Sequence, residues 1–174
     1  MAGEAGGLTT FVFDQNFGEK TVELLRLGRM PPVGRITTLT ELGYAADAPD
    51  EEWMLQLGAR GPHAVITRDG EILRASVRLD AWRASGLTLL LLDGRWGQLP
   101  LHELTRALIY WWPLMVEQAT AAKPGTAWTV PHAVPAPPKG IRLVTPQVGQ
   151  ARPKDGKVVD IADASRRNRK GSGL

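Results

Sequence analysis

Short apolar runs alternate with helix-like segments along the first 130 residues of the chain. Four runs have the apolar or β-branched content of buried strands, and they lie at residues 8–14, 35–39, 63–67 and 87–92. Apolar positions at helical spacing fill the intervals, at residues 19–27, 50–57 and 71–85. Strands joined by helical crossovers become parallel neighbours. The pattern therefore predicts an α/β fold, with a mostly parallel sheet of four to five strands and helices on both faces.

Local chemistry predicts two features of the helices. Asp50 precedes an apolar helical pattern, and aspartate commonly caps a helix by accepting a backbone hydrogen bond, so we expect Asp50 to be an N-cap. Pro100 opens a later helix whose apolar side includes Trp111 and Trp112, and we expect these two indoles to lie in the core or in an interface. Pro113 has no backbone N–H to donate, so we expect it to interrupt this helix, which Leu114 to Ala121 would resume after a kink.

The chain divides into a folded part and a basic end. We expect a domain at residues 8–130, a Pro-rich extended segment at 131–149 and a disordered basic tail at 150–174. Residues 1–138 carry 12 Lys and Arg against 15 Asp and Glu, whereas residues 139–174 carry 9 against 3. The positive charge therefore lies in the tail, which either binds nucleic acid through its phosphates or is a solvated extension.

Several classes of protein are excluded by what the sequence lacks. The absence of cysteine excludes disulfide frameworks and cysteine-ligated zinc, and the three histidines are too widely spaced for a metal site. No glycine-rich loop follows a strand, which argues against a nucleotide- or phosphate-binding enzyme. The first seven residues lack the features of a signal peptide, and no apolar stretch is long enough to span a bilayer. We therefore expect a cytoplasmic protein that does not enter a membrane.

Three aspartates stand at the ends of predicted elements. Asp14 ends the first strand, Asp50 begins a helix and Asp69 follows the third strand. Because ligands bind outside the carboxyl ends of parallel strands, we expect these side chains to meet at that edge of the sheet. Close carboxylates repel one another unless a hard divalent cation neutralises them, and oxygen ligands suit Mg²⁺ or Mn²⁺. The cluster therefore predicts a metal-dependent site that cuts phosphodiester bonds.

The segments around these aspartates resemble the motifs of a known family. They read Phe11-Val12-Phe13-Asp14-Gln15-Asn16, Pro49-Asp50-Glu51-Glu52-Trp53 and Val65-Ile66-Thr67-Arg68-Asp69-Gly70-Glu71-Ile72, followed later by Trp112-Pro113. Together they resemble the PIN-like domain of bacterial VapC-type toxins, over about residues 8–130. The resemblance implies a three-layer α/β/α sandwich and a Mg²⁺- or Mn²⁺-dependent ribonuclease of a type II toxin–antitoxin pair. It also implies an antitoxin protein as partner and a homodimer as assembly.

The resemblance assigns roles to individual residues. Asp14, Asp50 and Asp69 match the acids that hold the metal and carry catalysis, and Glu51 or Glu71 is expected to assist them. PIN domains commonly hold a fourth acid, for which this sequence has no clear match. The candidates are Glu51, Glu71, Asp93 and, as a weaker choice, Glu41.

Two polar residues beside the motif acids complete the expected site. The Asn16 amide and the Arg68 guanidinium stand where they can contact the phosphates of an RNA substrate. The leading interpretation is a metal-dependent endoribonuclease. The alternative is a non-catalytic PIN-like scaffold that binds RNA or a protein, which the missing fourth acid favours.

Overall fold

Six strands form one sheet in the computed structural model of the chain, which describes residues 9–28, 35–92, 94–132, 134 and 140–146. The strands are β1 (Thr10–Phe13), β2 (Arg35–Thr38), β3 (His63–Thr67), β4 (Thr88–Leu92), β5 (Ala127–Val130) and β6 (Arg142–Leu143). Their order is β2-β1-β3-β4-β5-β6, and every neighbouring pair is parallel except β5 and β6. The mostly parallel sheet is thus confirmed. It has more than the expected four to five strands because the two-residue β6 adds an antiparallel edge.

Helices cover both faces of this sheet. In the described part of the chain they are α1 (Glu19–Leu27), α2 (Asp50–Ala59), α3 (Ser76–Ser85) and α4 (Leu101–Ala121). Successive strand residues point to opposite faces, so alternate positions of β1 serve two separate cores. Phe11 packs in the core beneath α1 and α4, whereas Val12 packs in the core beneath α2 and α3. The arrangement is the expected three-layer α/β/α sandwich.

Large aromatic side chains fill the core beneath α4. Trp111 and Trp112 are fully buried, as the sequence predicts, and the Trp112 ring centroid lies 5.0 Å from that of Phe11. Trp96 is also fully buried, and its indole N–H donates to the carbonyl of Val130 at 2.9 Å. This hydrogen bond fastens the connection between β4 and α4 to the end of β5.

The expected interruption at Pro113 is wrong, because α4 continues through this residue to Ala121. Pro113 faces solvent, where water can bond the carbonyl that loses its helical partner. Trp112 before it and Met115 after it are both fully buried in the same core. Packing on both sides of the proline therefore keeps the helix continuous.

The expected N-cap at Asp50 is also wrong. Pro49 occupies the N-cap position, and Asp50 is the first helical residue of α2. The Asp50 carboxylate accepts a hydrogen bond from the indole Nε1 of Trp53 at 3.0 Å rather than from a backbone N–H. The aspartate therefore sits one position further into the helix, with one oxygen bonded to a side chain of the same turn.

Two further expectations concern the end of the chain and membranes. The predicted disordered basic tail at residues 150–174 lies outside the described residues, as does much of the Pro-rich segment at 131–149. Among the helices of the described ranges, none combines the length and the apolar character that crossing a bilayer requires.

Candidate active site at the carboxyl edge of the sheet

Asp14 directly follows β1 and is only 6% exposed. Its backbone N–H continues the ladder towards β3 by donating to the carbonyl of Ile66 at 3.0 Å. Its carboxylate accepts three hydrogen bonds, from Gln15 N at 2.6 Å, Asn16 Nδ2 at 3.1 Å and Thr67 Oγ1 at 2.8 Å. These bonds fix the orientation of the carboxylate at the edge of the sheet.

Thr67 connects Asp14 to the second acid. This fully buried residue ends β3, and its hydroxyl both donates to Asp14 and accepts from the backbone N–H of Asp69 at 3.0 Å. Asp69 in turn caps the 3₁₀ turn Gly70–Leu73, with Oδ1 accepting from Glu71 N at 2.8 Å. One threonine hydroxyl therefore bonds both the carboxylate of Asp14 and the backbone of Asp69.

Arg78 connects Asp69 to the third acid. It lies in the first turn of α3, on the same face of the sheet as α2. Its Nε is 3.2 Å from Asp50 Oδ2, and its Nη1 is 3.6 Å from Asp69 Oδ2. The three predicted acids thus belong to one connected group, in which Thr67 links Asp14 to Asp69 and Arg78 links Asp69 to Asp50.

Thr67 and Arg78 are the members of this group that the sequence analysis missed as site residues. The register pairs Phe13 with Ile66, so Asp14 and Thr67 are the next positions on two neighbouring strands. Knowledge of this register would have identified the threonine. No motif marks Arg78, since its position depends on how closely α3 packs beside α2.

The electrostatics at Asp14 are unfavourable for a charged carboxylate. Burial raises the pKa of the Asp14 carboxyl above its ordinary value, and the Asp50 carboxylate raises it further. Hydrogen bonds from Thr67, Gln15 and Asn16 lower the pKa but do not offset these effects. A positive charge near Asp14 would favour its ionised form.

The donor atoms of this group suit a hard divalent cation. Carboxylate oxygens are the ligands that Mg²⁺ and Mn²⁺ prefer. A nearby cation would lower the raised pKa of the Asp14 carboxyl by stabilising its charged form. As the side chains stand, however, no three acidic or histidine side chains of the described residues lie close enough to hold one ion. Asp50 and Asp69 lie instead within ion-pair distance of Arg78.

Among the candidates for a fourth acid, Glu51 lies closest to the group in sequence. It is half-buried beside Asp50 at the start of α2. Glu71 is 60% exposed and pairs with Arg74 at 2.8 Å. Asp93 lies outside the described residues.

Glu41, the weaker candidate, is engaged in a contact of its own between α1 and β2. Its carboxylate accepts hydrogen bonds from Arg26 Nη1 at 2.9 Å, Thr37 Oγ1 at 2.7 Å and Thr38 N at 3.3 Å. The hydrogen bonds from Arg26, followed by that from Thr37, lower the pKa of Glu41 to about 2. Glu41 therefore joins the first helix to the edge strand.

Asn16 and Arg68 lie together beside the acids and line a cleft of about 630 Å³. Arg68 donates a hydrogen bond to the Asn16 carbonyl, and its guanidinium lies 5.0 Å from the centroid of the Phe17 ring. Asn16 reaches in the other direction to the Asp14 carboxylate. The remaining walls of the cleft come from the start of α1 and the start of α4. Asn16 therefore belongs both to the cleft and to the acidic group.

Comparison with known proteins identifies the domain. Residues 9–94 match the family described as "PIN like domain". This match is just under half of the chain, runs from the start of β1 past the end of β4, and contains the three acids and Arg78. No curated protein and no solved structure matches the chain. The sheet and the layers agree with this family match, which supports a PIN-like domain in this chain.

Proposed function

We propose that this chain is a metal-dependent endoribonuclease whose acids are Asp14, Asp50 and Asp69. The observation that carries the proposal is the connection of these three residues, through Thr67 and Arg78, at the carboxyl edge of a parallel sheet. Ligands of open α/β sheets bind outside this edge. The PIN-like domain, a nuclease-type fold, contains all three acids.

The chain's own groups hold Asp14 ready to bind a cation. Gln15 N bonds one carboxylate oxygen, and Asn16 and Thr67 bond the other. The carboxylate therefore needs little reorganisation, whereas Asp50 and Asp69 complete the ligand set by turning towards it. Bound Mg²⁺ or Mn²⁺ would activate a water molecule and neutralise charge on the phosphate. We assign Glu51 an assisting role because it is half-buried next to Asp50.

The cleft beside the acids supports a nucleic-acid strand as substrate. Lys20 and Arg68 supply two positive charges on its walls against the one negative charge of Glu19, and three leucines supply apolar surface: Leu99, Leu101 and Leu104. A phosphate can meet the charged side chains while a base contacts the apolar ones. Exposed bases are available in single-stranded rather than double-stranded RNA, so we propose a single-stranded segment or loop as the target.

The biological setting of this activity follows the family resemblance. We propose a cytoplasmic toxin of a toxin–antitoxin pair, working as a homodimer and blocked by an antitoxin protein. Copurification of the chain with the product of a neighbouring small gene would support this role. A chain whose expression leaves cell growth unchanged while it cleaves RNA in vitro would contradict it.

Cleavage of labelled RNA by the full chain tests the enzymatic proposal. We expect cleavage with Mn²⁺, none with EDTA, and a loss of about 100-fold or more in Asp14→Asn. Asp80→Asn is the matched control, since Asp80 is 77% exposed on α3 and pairs with Arg83. Circular dichroism checks that both variants fold. Cleavage by Asp14→Asn at the wild-type rate would refute the assignment.

A second candidate function has one specific observation in its favour. Arg78 already pairs with two of the three acids, and no three acids of the described residues lie within reach of one ion. A non-catalytic PIN-like scaffold that binds RNA or a protein would have this arrangement. Such a scaffold should bind the same RNA without cleaving it, and should show no heat of Mn²⁺ binding in calorimetry.

A further inference from the structure

One guanidinium contacts two of the three acids with which the proposed nuclease site would bind a divalent cation. Arg78 directs Nε to Asp50 and Nη1 to Asp69, so two different nitrogens of the same planar group serve the two acids. The three side chains are partly open to solvent, with exposed fractions of 37% for Arg78, 23% for Asp50 and 31% for Asp69. Ions can therefore reach this place, and Arg78 can leave it.

We propose that Arg78 is a built-in counter-cation that competes with the divalent metal for Asp50 and Asp69 and so sets the metal affinity of the site. The inference rests on the proposed function for the choice of Mn²⁺ and for the acids that would bind it. It explains why three motif acids are connected and yet share no common ion position: two of them are turned towards Arg78.

The competition has a clear electrostatic basis. A metal that binds Asp14, Asp50 and Asp69 together must break both ion pairs, or else remain close to a unit positive charge. Either course weakens metal binding. Because ion pairs with this much exposure are individually weak, the effect should be about tenfold in the dissociation constant rather than a thousandfold.

The opposite role for Arg78 is equally specific, which makes the proposal testable. If Arg78 served only to hold Asp50 and Asp69 at the right place for the ion, its removal would release both acids and weaken metal binding. The two roles therefore predict opposite signs for the same measurement.

Calorimetric titration of the full chain with Mn²⁺ provides this measurement. We expect Arg78→Gln to bind Mn²⁺ about tenfold more tightly than the wild type. Arg78→Lys, which keeps the charge but loses the planar fork, should lie between the two. Arg83→Gln is the matched control, because Arg83 lies on the same helix and pairs with Asp80 instead, and it should bind like the wild type.

Equal or weaker Mn²⁺ binding by Arg78→Gln would overturn the proposal, and so would the absence of Mn²⁺ binding in every variant. Should Arg78→Gln fail to fold, Arg78→Lys decides by the same criterion. The outcome is separate from that of the proposed function. If Arg78→Gln binds Mn²⁺ more tightly but the wild type does not cleave RNA, the nuclease is refuted and the role of Arg78 is supported. If the wild type cleaves RNA but Arg78→Gln binds Mn²⁺ like the wild type, the nuclease is supported and the role of Arg78 is refuted.

Discussion

Replacing Gly58 by alanine should force helices α2 and α3 apart. Gly58 lies inside α2, and a Cβ atom placed on it would meet the backbone carbonyl of Ser85 and lie 2.8 Å from the Cα and Cβ of that residue. Ser85 is the last residue of α3. The obstructing atoms are mostly backbone, so a side-chain rotation does not relieve the overlap, and one helix must move.

The magnitude is a balance of two effects. Alanine in a helix interior is better than glycine by about 1 kcal/mol, which favours the variant. Overpacking in a well-packed core costs about 1–3 kcal/mol, and a backbone obstruction calls for the upper part of that range or more. We expect a net loss of about 2 kcal/mol in the free energy of unfolding, which for a chain of this size lowers Tm by about 4–8 °C.

Thermal unfolding followed by circular dichroism measures this shift. Gly97→Ala is the matched control, since a Cβ at Gly97 meets no atom within 4 Å and should change Tm little. A Gly58→Ala variant with a Tm equal to or above that of the wild type would refute the reasoning, because helix propensity would then outweigh the contact. The same movement should separate Asp50 on α2 from Arg78 on α3.

Two further predictions concern polar contacts. Glu41 has its pKa lowered to about 2, so it stabilises the fold at pH values above its unfolded value of 4.5, and this contribution is lost as pH falls from 4.5 towards 2. Because its side chain is 39% exposed, we expect Glu41→Gln to cost only about 1 kcal/mol in urea unfolding at pH 7, with the difference from the wild type shrinking towards pH 2; an equal difference at both pH values would contradict this. Thr67→Val keeps the shape but removes the hydroxyl between Asp14 and Asp69, so we expect a loss of about 1–3 kcal/mol and slower RNA cleavage. Unchanged urea unfolding of this variant would show that the hydroxyl does not hold the acids.

Much of the fold was predictable because its signals are local. The strands at residues 63–67 and 87–92 are continuous apolar runs, and such runs indicate central parallel strands. The edge strand β6 is two exposed residues long, so no apolar pattern marks it, and its existence depends on pairing with β5. The prediction at Pro113 was wrong for the opposite reason. Proline does disfavour a helix locally, but the burial of residues on both sides of Pro113 outweighs this preference.

The candidate site was predictable where chemistry follows chain position. Asp14 and Asp69 were found because residues that follow parallel strands share an edge, and the motif around Asp50 supplied the third acid. The sequence did not indicate the partners of the Asp50 carboxylate, because the contacts of Trp53 and Arg78 with it depend on helix geometry and packing rather than on a motif. Local sequence therefore reveals which groups carry charge, whereas the contacts that orient those charges come from tertiary structure.

The difference between what the motifs indicate and what tertiary packing adds is most important for the net charge of the site. The motifs alone give a group of three carboxylates. On that count, the missing fourth acid would simply weaken the binding of a metal. With Arg78 included, the same place holds three acids and one base, and the base contacts two of the acids. On the proposal made above, the affinity for a divalent cation would depend on how readily the Arg78 guanidinium leaves Asp50 and Asp69, as well as on the number of acids. If Arg78 competes with the metal as proposed, a PIN-like domain can keep its motif acids and still change its metal affinity about tenfold through a single residue on a neighbouring helix.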